Sequence, residues 1–287
     1  MANLKGGSFE KQVKDIFHRL SAFGEKRFGK DSHQTHSSAI SKKRSEYASS
    51  FSSFITNKGL EGKLNTHMTN EYIKEYLELR TVDLAYSSTI NYYRGFSSFI
   101  EGLKESNVSI EFDKKIIDDL VKDFKVNNIK PDFQTNRAID NPEKIIESIS
   151  NTHYSLSLVA QVQYECGLRV REAYAVVGHI EKYFKEDSQT LEGILGKGNH
   201  IYNSKNISYS LATAIEANTE KLPTQTTYSN VLSEYGVKSH DFRYTYAKNL
   251  YEKKTTEGEN YKEVLKDVSK ELNHTREQMT RFYLARA

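Results

Sequence analysis

The sequence predicts a mainly α-helical chain with a small β-sheet, organised as two domains. Three observations carry this reading. Apolar residues recur at helical intervals along most of the 287 residues. One segment around residue 200 breaks that rhythm with short apolar runs about a Gly-rich centre. A polar stretch from Val126 to Pro142, with Pro131 and Pro142 near its ends, divides the helical pattern in two. The length is enough for each half to bury a core of its own.

Taken in order, Phe9, Val13, Phe17 and Leu20 predict a first helix, and the polar run DSHQTHSS over 31–38 a flexible joint. Residues 1–38 are thus expected as a basic N-terminal extension. Tyr47, Phe51, Phe54 and Ile55 mark one amphipathic helix, Tyr72, Tyr76 and Leu77 a second, and Ile90, Tyr93, Phe96, Phe99 and Ile100 a third. Thr69 and Ser87 are suited to cap the last two. A short helix over 114–125 completes a bundle spanning 39–128, and 129–142 reads as a linker. Beyond it, 143–150, 153–166 and a stretch from Arg169 onward read as helices, with Gly167 as the break between the last two. TLEGILGKGNHIYNSKNISYSLA reads as two or three short strands joined at the turn GKGN. Helices resume over 239–253 and 261–272.

Composition excludes several classes. The single cysteine, Cys166, rules out an internal disulfide and a Cys-based zinc cage. No stretch has the length and apolarity of a membrane span or the form of a secretory signal, so a cytoplasmic protein is expected. The net charge of +3 does not by itself announce a nucleic-acid partner. Its distribution says more: residues 1–50 hold ten basic against five acidic side chains, and 101–150 eight against eleven. Lys26, Arg27 and Lys30, with the run Lys42, Lys43 and Arg44, are candidates for contact with DNA phosphates. A solvated helical face explains the same residues almost as well.

Four stretches carry candidate chemistry: GLRVREA at 167–173, LGKGNH at 195–200, SHDFRYTYA at 239–247 and ELNHTREQMTRFY at 271–283. Each is weak alone. Arg169 at a helix start reads first as a surface or ion-paired arginine. Lys197 lacks the spacing and the following Ser or Thr of a phosphate-binding loop. His240 and Arg243 lie three apart, on one helical face, where both can grip one phosphate. His274 alone is more often structural, and Tyr283 is one of nineteen tyrosines. In combination they change meaning. Displacement at a phosphodiester needs charge neutralisers around the non-bridging oxygens, an in-line nucleophile and an acid for the leaving oxygen. Two Arg, two His, one Lys and one Tyr supply all three.

This ordered set resembles the tyrosine recombinases, or phage integrases, whose catalytic domain is similar to the chain from about residue 143 to 287. The resemblance implies Arg169 and Arg243 as phosphate-binding arginines, Glu172 as the acidic residue that supports the site and Lys197 as the hairpin lysine that protonates the leaving 5′ oxygen. It also implies His240 and His274 as the two active-site histidines and Tyr283, nine residues after His274, as the nucleophile. Residues 39–105 are similar to the helical, SAM-like core-binding domain of the same family. Three departures stand out: Leu272-Asn273-His274 in place of Leu-Gly-His, Arg243-Tyr244-Thr245 in place of Arg-His-Thr, and a charged insertion, EKKTTEGENYKE, expected as a longer loop.

The resemblance implies nucleophilic catalysis without a metal, nucleotide or other cofactor, through a 3′-phosphotyrosine intermediate. It implies double-stranded DNA with inverted-repeat-type target sites as the partner and a homotetramer assembled on DNA. A type IB topoisomerase-like enzyme would use the same chemistry, and a non-catalytic DNA-binding relative the same fold. A purely structural helical interaction protein would have to treat the four motifs as coincidence.

Overall fold

A computed structural model describes residues 11, 12, 15, 18, 21, 22, 34–105, 108–131, 136–197 and 200–287. The chain divides into two compact units, 1–132 and 133–287. Most of the predicted first helix lies outside the described residues, as do Lys26, Arg27 and Lys30.

In the first unit, helices α1 (Ser38–Asn57), α2 (Asn70–Thr81), α3 (Tyr86–Glu105) and α4 (Lys115–Asn127) close around an aromatic core. Ser37 and Thr69 cap α1 and α2, their hydroxyls accepting from Ile40 N–H at 3.3 Å and Tyr72 N–H at 3.4 Å. Tyr47, Phe51, Tyr76, Phe96 and Phe99 are buried at the centre. Phe51 meets Tyr76 edge-to-face with ring centroids 5.1 Å apart, an arrangement that adds to the area buried.

Three expectations for this unit are corrected. Ser87 is not an N-cap, because α3 begins one residue earlier at Tyr86. Within the segment expected as a flexible joint, the described residues 34–38 are held in place: Thr35 is buried and its carbonyl accepts from Ala22 N–H at 3.0 Å. Arg44, expected to meet phosphate, is also buried, with Nη1 donating to Thr35 Oγ1 at 2.7 Å. A buried guanidinium must be hydrogen-bonded, and anchoring the entry to α1 is the role it takes.

The second unit is built around α6 (Tyr154–Cys166), whose sequence YSLSLVAQVQYEC is apolar on most sides and therefore central. Against it pack α5 (Pro142–Ser150), α7 (Val170–Gly178), α9 (Tyr209–Ala217) and α11 (Ser239–Thr256). One short helical turn, α8 (Ile180–Tyr183), leads into a three-stranded antiparallel sheet of β1 (Phe184–Lys185), β2 (Thr190–Leu191) and β3 (Lys205–Asn206) in the order 1-2-3. The register pairs Phe184 with Leu191 and Leu191 with Lys205. The sheet starts earlier than its sequence signal. Its predicted end, SYSLA, is helical instead, because Ser208 caps α9 by accepting from Leu211 N–H at 3.4 Å. Helix α10 (Gln225–Glu234), for which no element was predicted, precedes α11.

Helices α12 (Tyr261–Glu271) and α13 (Glu277–Leu284) complete the unit and bury Tyr244, Val264, Val268, Leu272 and Tyr283 in a small second core with α11. The charged insertion is not a long loop. Its first half extends α11 to Thr256, Gly258 turns the chain at φ +84°, and Asn260 caps α12. Lys254 fastens the turn through Glu259 at 2.9 Å and Asp267 at 2.7 Å.

Candidate active site

Five of the six predicted catalytic side chains converge in the second unit. Gly167 ends α6 in the left-handed region at φ +64°, and a Cβ there would lie 2.3 Å from the Tyr246 ring, so only glycine fits. This turn delivers Arg169 to the start of α7, where the Arg169 N–H donates to Glu172 Oε2 at 2.7 Å and its Nη1 to Glu172 Oε1 at 3.2 Å. Glu172 is buried, and the Arg169 side chain is 25% exposed.

His240 and Arg243 lie in the first turns of α11. Arg243 is fully buried; its Nη1 donates to the Gly167 carbonyl and its Nη2 to the Leu272 carbonyl. Its Nε has no hydrogen-bond partner among the described residues. One guanidinium thus ties the α6–α7 turn to the end of α12. His274 follows Asn273, which adopts φ +49°. Asparagine tolerates the left-handed region, which accounts physically for Leu-Asn-His standing where glycine is usual.

Tyr283, on α13 of the same chain, is 5% exposed, and its hydroxyl is hydrogen-bonded to His240 Nε2. Tyr244 stacks on its ring at 4.5 Å with an interplanar angle of 26°, and the His274 ring lies edge-on at 4.8 Å.

Both imidazoles are held neutral. Burial, then the Arg243 charge and those of Arg137, Arg169 and Arg286, bring His240 down to about 4. Burial, Arg243, Arg169 and His240 bring His274 down to about 3. Arg243 can only donate, so at 3.4 Å from its Nη2 the His274 Nε2 is the acceptor and Nδ1 carries the proton toward Thr280 Oγ1 at 3.0 Å. A neutral His240 can accept the phenolic proton through Nε2.

A pH dependence of stability follows. Unfolded, each histidine titrates near 6.5, so as pH falls below that value the unfolded chain takes up protons that the folded chain refuses. Stability is unaffected by these groups above about pH 6.5 and declines toward pH 4 and below. Thermal melts at stepped pH should show the fall, and His240→Gln should flatten it; a melting temperature flat from pH 6.5 to 4 would remove the two histidines from buried, cation-facing positions.

Lys197 is not brought into this cluster. It is exposed in the turn between β2 and β3, a connection braced by a bridge between Leu195 and Ile201, and it makes no hydrogen bond or ion pair with the other five among the described residues. Lys42 is exposed, while Lys43 is paired with Glu46 at 3.0 Å.

The structure adds residues that the motifs did not reveal. Tyr202 places its hydroxyl among Arg169, Glu172 and Arg243. Arg137, in the stretch read as linker, pairs with Asp241 and lies 4.5 Å over the Tyr244 ring, and its N–H donates to the Arg286 carbonyl at 2.7 Å. In sequence Tyr202 is one aromatic in a strand-like run and Arg137 one basic residue among polar ones, so neither carried a signal. Among the described residues no group of three or more His, Cys, Asp or Glu could hold a metal ion, and no helix is long and apolar enough to cross a membrane.

No protein-family profile matches the sequence, and no curated protein matches it. Solved structures do. The XerH site-specific recombinase bound to difH substrate in a pre-cleavage complex is similar over 99% of this chain and 96% of that one, with a TM-score of 0.64 at 14% identity. Its post-cleavage complex with palindromic difH gives a TM-score of 0.62 at 14% identity, over 98% and 94%. The Tn1549 transposon integrase in complex with circular intermediate DNA gives 0.57 at 14% identity, over 96% and 95%. The shared architecture is the tyrosine-recombinase fold, mainly helical with a small antiparallel sheet.

Proposed function

We propose that this chain, which has the tyrosine-recombinase fold, is a site-specific DNA recombinase that cuts and rejoins duplex DNA through a 3′-phosphotyrosine intermediate. The observation that carries the reading is the Tyr283 hydroxyl, hydrogen-bonded to a neutral His240 beside the buried Arg243. In the proposed reaction the Tyr283 oxygen attacks the scissile phosphorus and its proton passes to His240 Nε2. Arg169 and Arg243 stabilise the charge on the non-bridging oxygens. The 5′ oxygen leaves with a proton from Lys197. Because the bond energy is kept in the phosphotyrosine, a 5′ hydroxyl from a second duplex reverses the step and exchanges strands. Partner exchange of this kind implies a homotetramer on two DNA sites, with target sites of the inverted-repeat type, in the cytoplasm. Mobilisation of a genetic element is one use of such exchange; the XerH and Tn1549 complexes, both with DNA, support duplex DNA as the substrate.

The test is trapping. A nicked suicide duplex drawn from the DNA flanking the gene should yield a covalent protein–DNA band on a denaturing gel, with a free 5′ hydroxyl on the released strand. Absence of the band from every flanking duplex that the protein binds would count against the reading. Relaxation of supercoiled plasmid without recombinant products would transfer it to the topoisomerase class.

A basic face beside the site gives a second expectation. Lys262, Lys266 and Lys270 recur every fourth residue on α12, exposed, along a groove of about 590 Å³ that His274 also lines. Replacing all three by alanine should weaken duplex binding and flatten the dependence of log K on log salt by about 0.9 for each phosphate that the variant no longer neutralises. An unchanged slope in anisotropy titrations would put the duplex on another face.

A further inference from the structure

We propose that Tyr202 is a positioning residue that sets the two phosphate-binding arginines relative to each other and registers the Lys197 hairpin against them. The inference rests on the catalytic reading above. The phenol hydroxyl has one proton to give and two lone pairs to receive, and all three are used. It donates to Glu172 Oε2 at 2.7 Å, and accepts from Arg169 Nη1 at 2.7 Å and from Arg243 Nη1 at 3.2 Å. Two guanidiniums of like charge are therefore held on one neutral oxygen, with Glu172 balancing them from the other side. Without that junction they would repel, and Arg169, the more exposed of the two, would be held by its pairing with Glu172 alone.

The ring is as constrained as the hydroxyl. Tyr202 is 4% exposed, and its N–H donates to the Ile194 carbonyl at 2.9 Å, which fixes the register of the hairpin. A Cβ on Gly196 would lie 2.8 Å from Tyr202 Cε2, so glycine at that position admits the ring. Gly196 is the residue before Lys197. Movement of the hairpin thus moves the Tyr202 hydroxyl, and with it the arginine pair. Burial pushes the phenol up to about 12 against the opposing charges of Arg243 and Arg169, with Glu172 adding to the rise, so the hydroxyl keeps the proton it donates.

Tyr202→Phe removes the oxygen and leaves the ring. The experiment is single-turnover adduct formation on the nicked flanking duplex at saturating DNA, beside equilibrium binding of the same duplex and a thermal melt. The expected result is a rate constant lowered about 10- to 100-fold, the span of losing hydrogen bonds to charged groups, with duplex affinity unchanged within about twofold. A purely structural role would lower the amplitude, through loss of folded protein, and leave the rate constant of the remainder intact. That outcome, or a wild-type rate, overturns the proposal.

Failure of the catalytic reading is separable. If wild type forms no adduct, calorimetric titration with inorganic phosphate replaces the assay: a loss of affinity of about tenfold or more in Tyr202→Phe keeps the positioning role, and equal affinity or no binding to wild type overturns it. If Tyr202→Phe does not fold, ¹⁵N spectra of the arginine side chains in wild type decide. Slow, resolved Nη signals for Arg169 and Arg243 without anion support the junction, and rotationally averaged signals refute it.

Discussion

Tyr283→Phe is expected to abolish the covalent protein–DNA band while leaving the protein folded and able to bind the same duplex. The substitution removes one oxygen, whose hydrogen bond is to His240, and preserves the ring that stacks on Tyr244 at 4.5 Å. The cost in stability should be that of one hydrogen bond, about 1 kcal/mol. The loss of adduct should be complete, because no group in the chemistry can replace the nucleophile. The measurement is a denaturing gel of wild type and variant on one labelled nicked duplex, with melts and binding run beside it. A band that survives would refute the assignment and make Tyr244, the phenol stacked against Tyr283, the next residue to substitute.

Arg243 should give the second large effect, and a mixed one. Its guanidinium is fully buried and donates to the carbonyls of Gly167 and Leu272, which lie in turns far apart in sequence. Lysine carries its donors on a single nitrogen and cannot span both carbonyls with the same geometry. Arg243→Lys is therefore expected to lower the rate of adduct formation by about 10² to 10³-fold. It should also lower the melting temperature, each buried carbonyl left without a donor costing about 1–3 kcal/mol. Arg169→Lys is the informative companion. Arg169 is partly exposed and its bonds are to Glu172 and Tyr202, so its substitution should lower the rate with a smaller loss of stability. Equal stability losses in the two variants would contradict the structural role given to Arg243.

The same residue shows why sequence and structure inform different questions. SHDFRYTYA places His240 and Arg243 on one helical face, and both point into one site. The spacing does not indicate that Arg243 is also a brace, because its partners are backbone carbonyls, and every residue has one. Arg44 departs from its expected role for a related reason: a basic run looks solvated in sequence, but helix packing turns its third member inward onto Thr35. The charged insertion reads as a loop because its composition is polar, whereas Gly258 and Asn260 shape it into a tight turn between two helices.

By itself the sequence determined the helical character, the presence of a small sheet with a Gly-rich turn between two of its strands, and the order of the six candidate catalytic residues. These are local matters: periodicity, turn chemistry and spacing along one helix are written in neighbouring residues. Only the tertiary structure decided that Tyr202 joins the two arginines, that Arg137 reaches Asp241 and Tyr244, and that His240 and His274 are neutral. Each of these depends on groups brought together from distant parts of the chain, and on the burial that raises the cost of charge there.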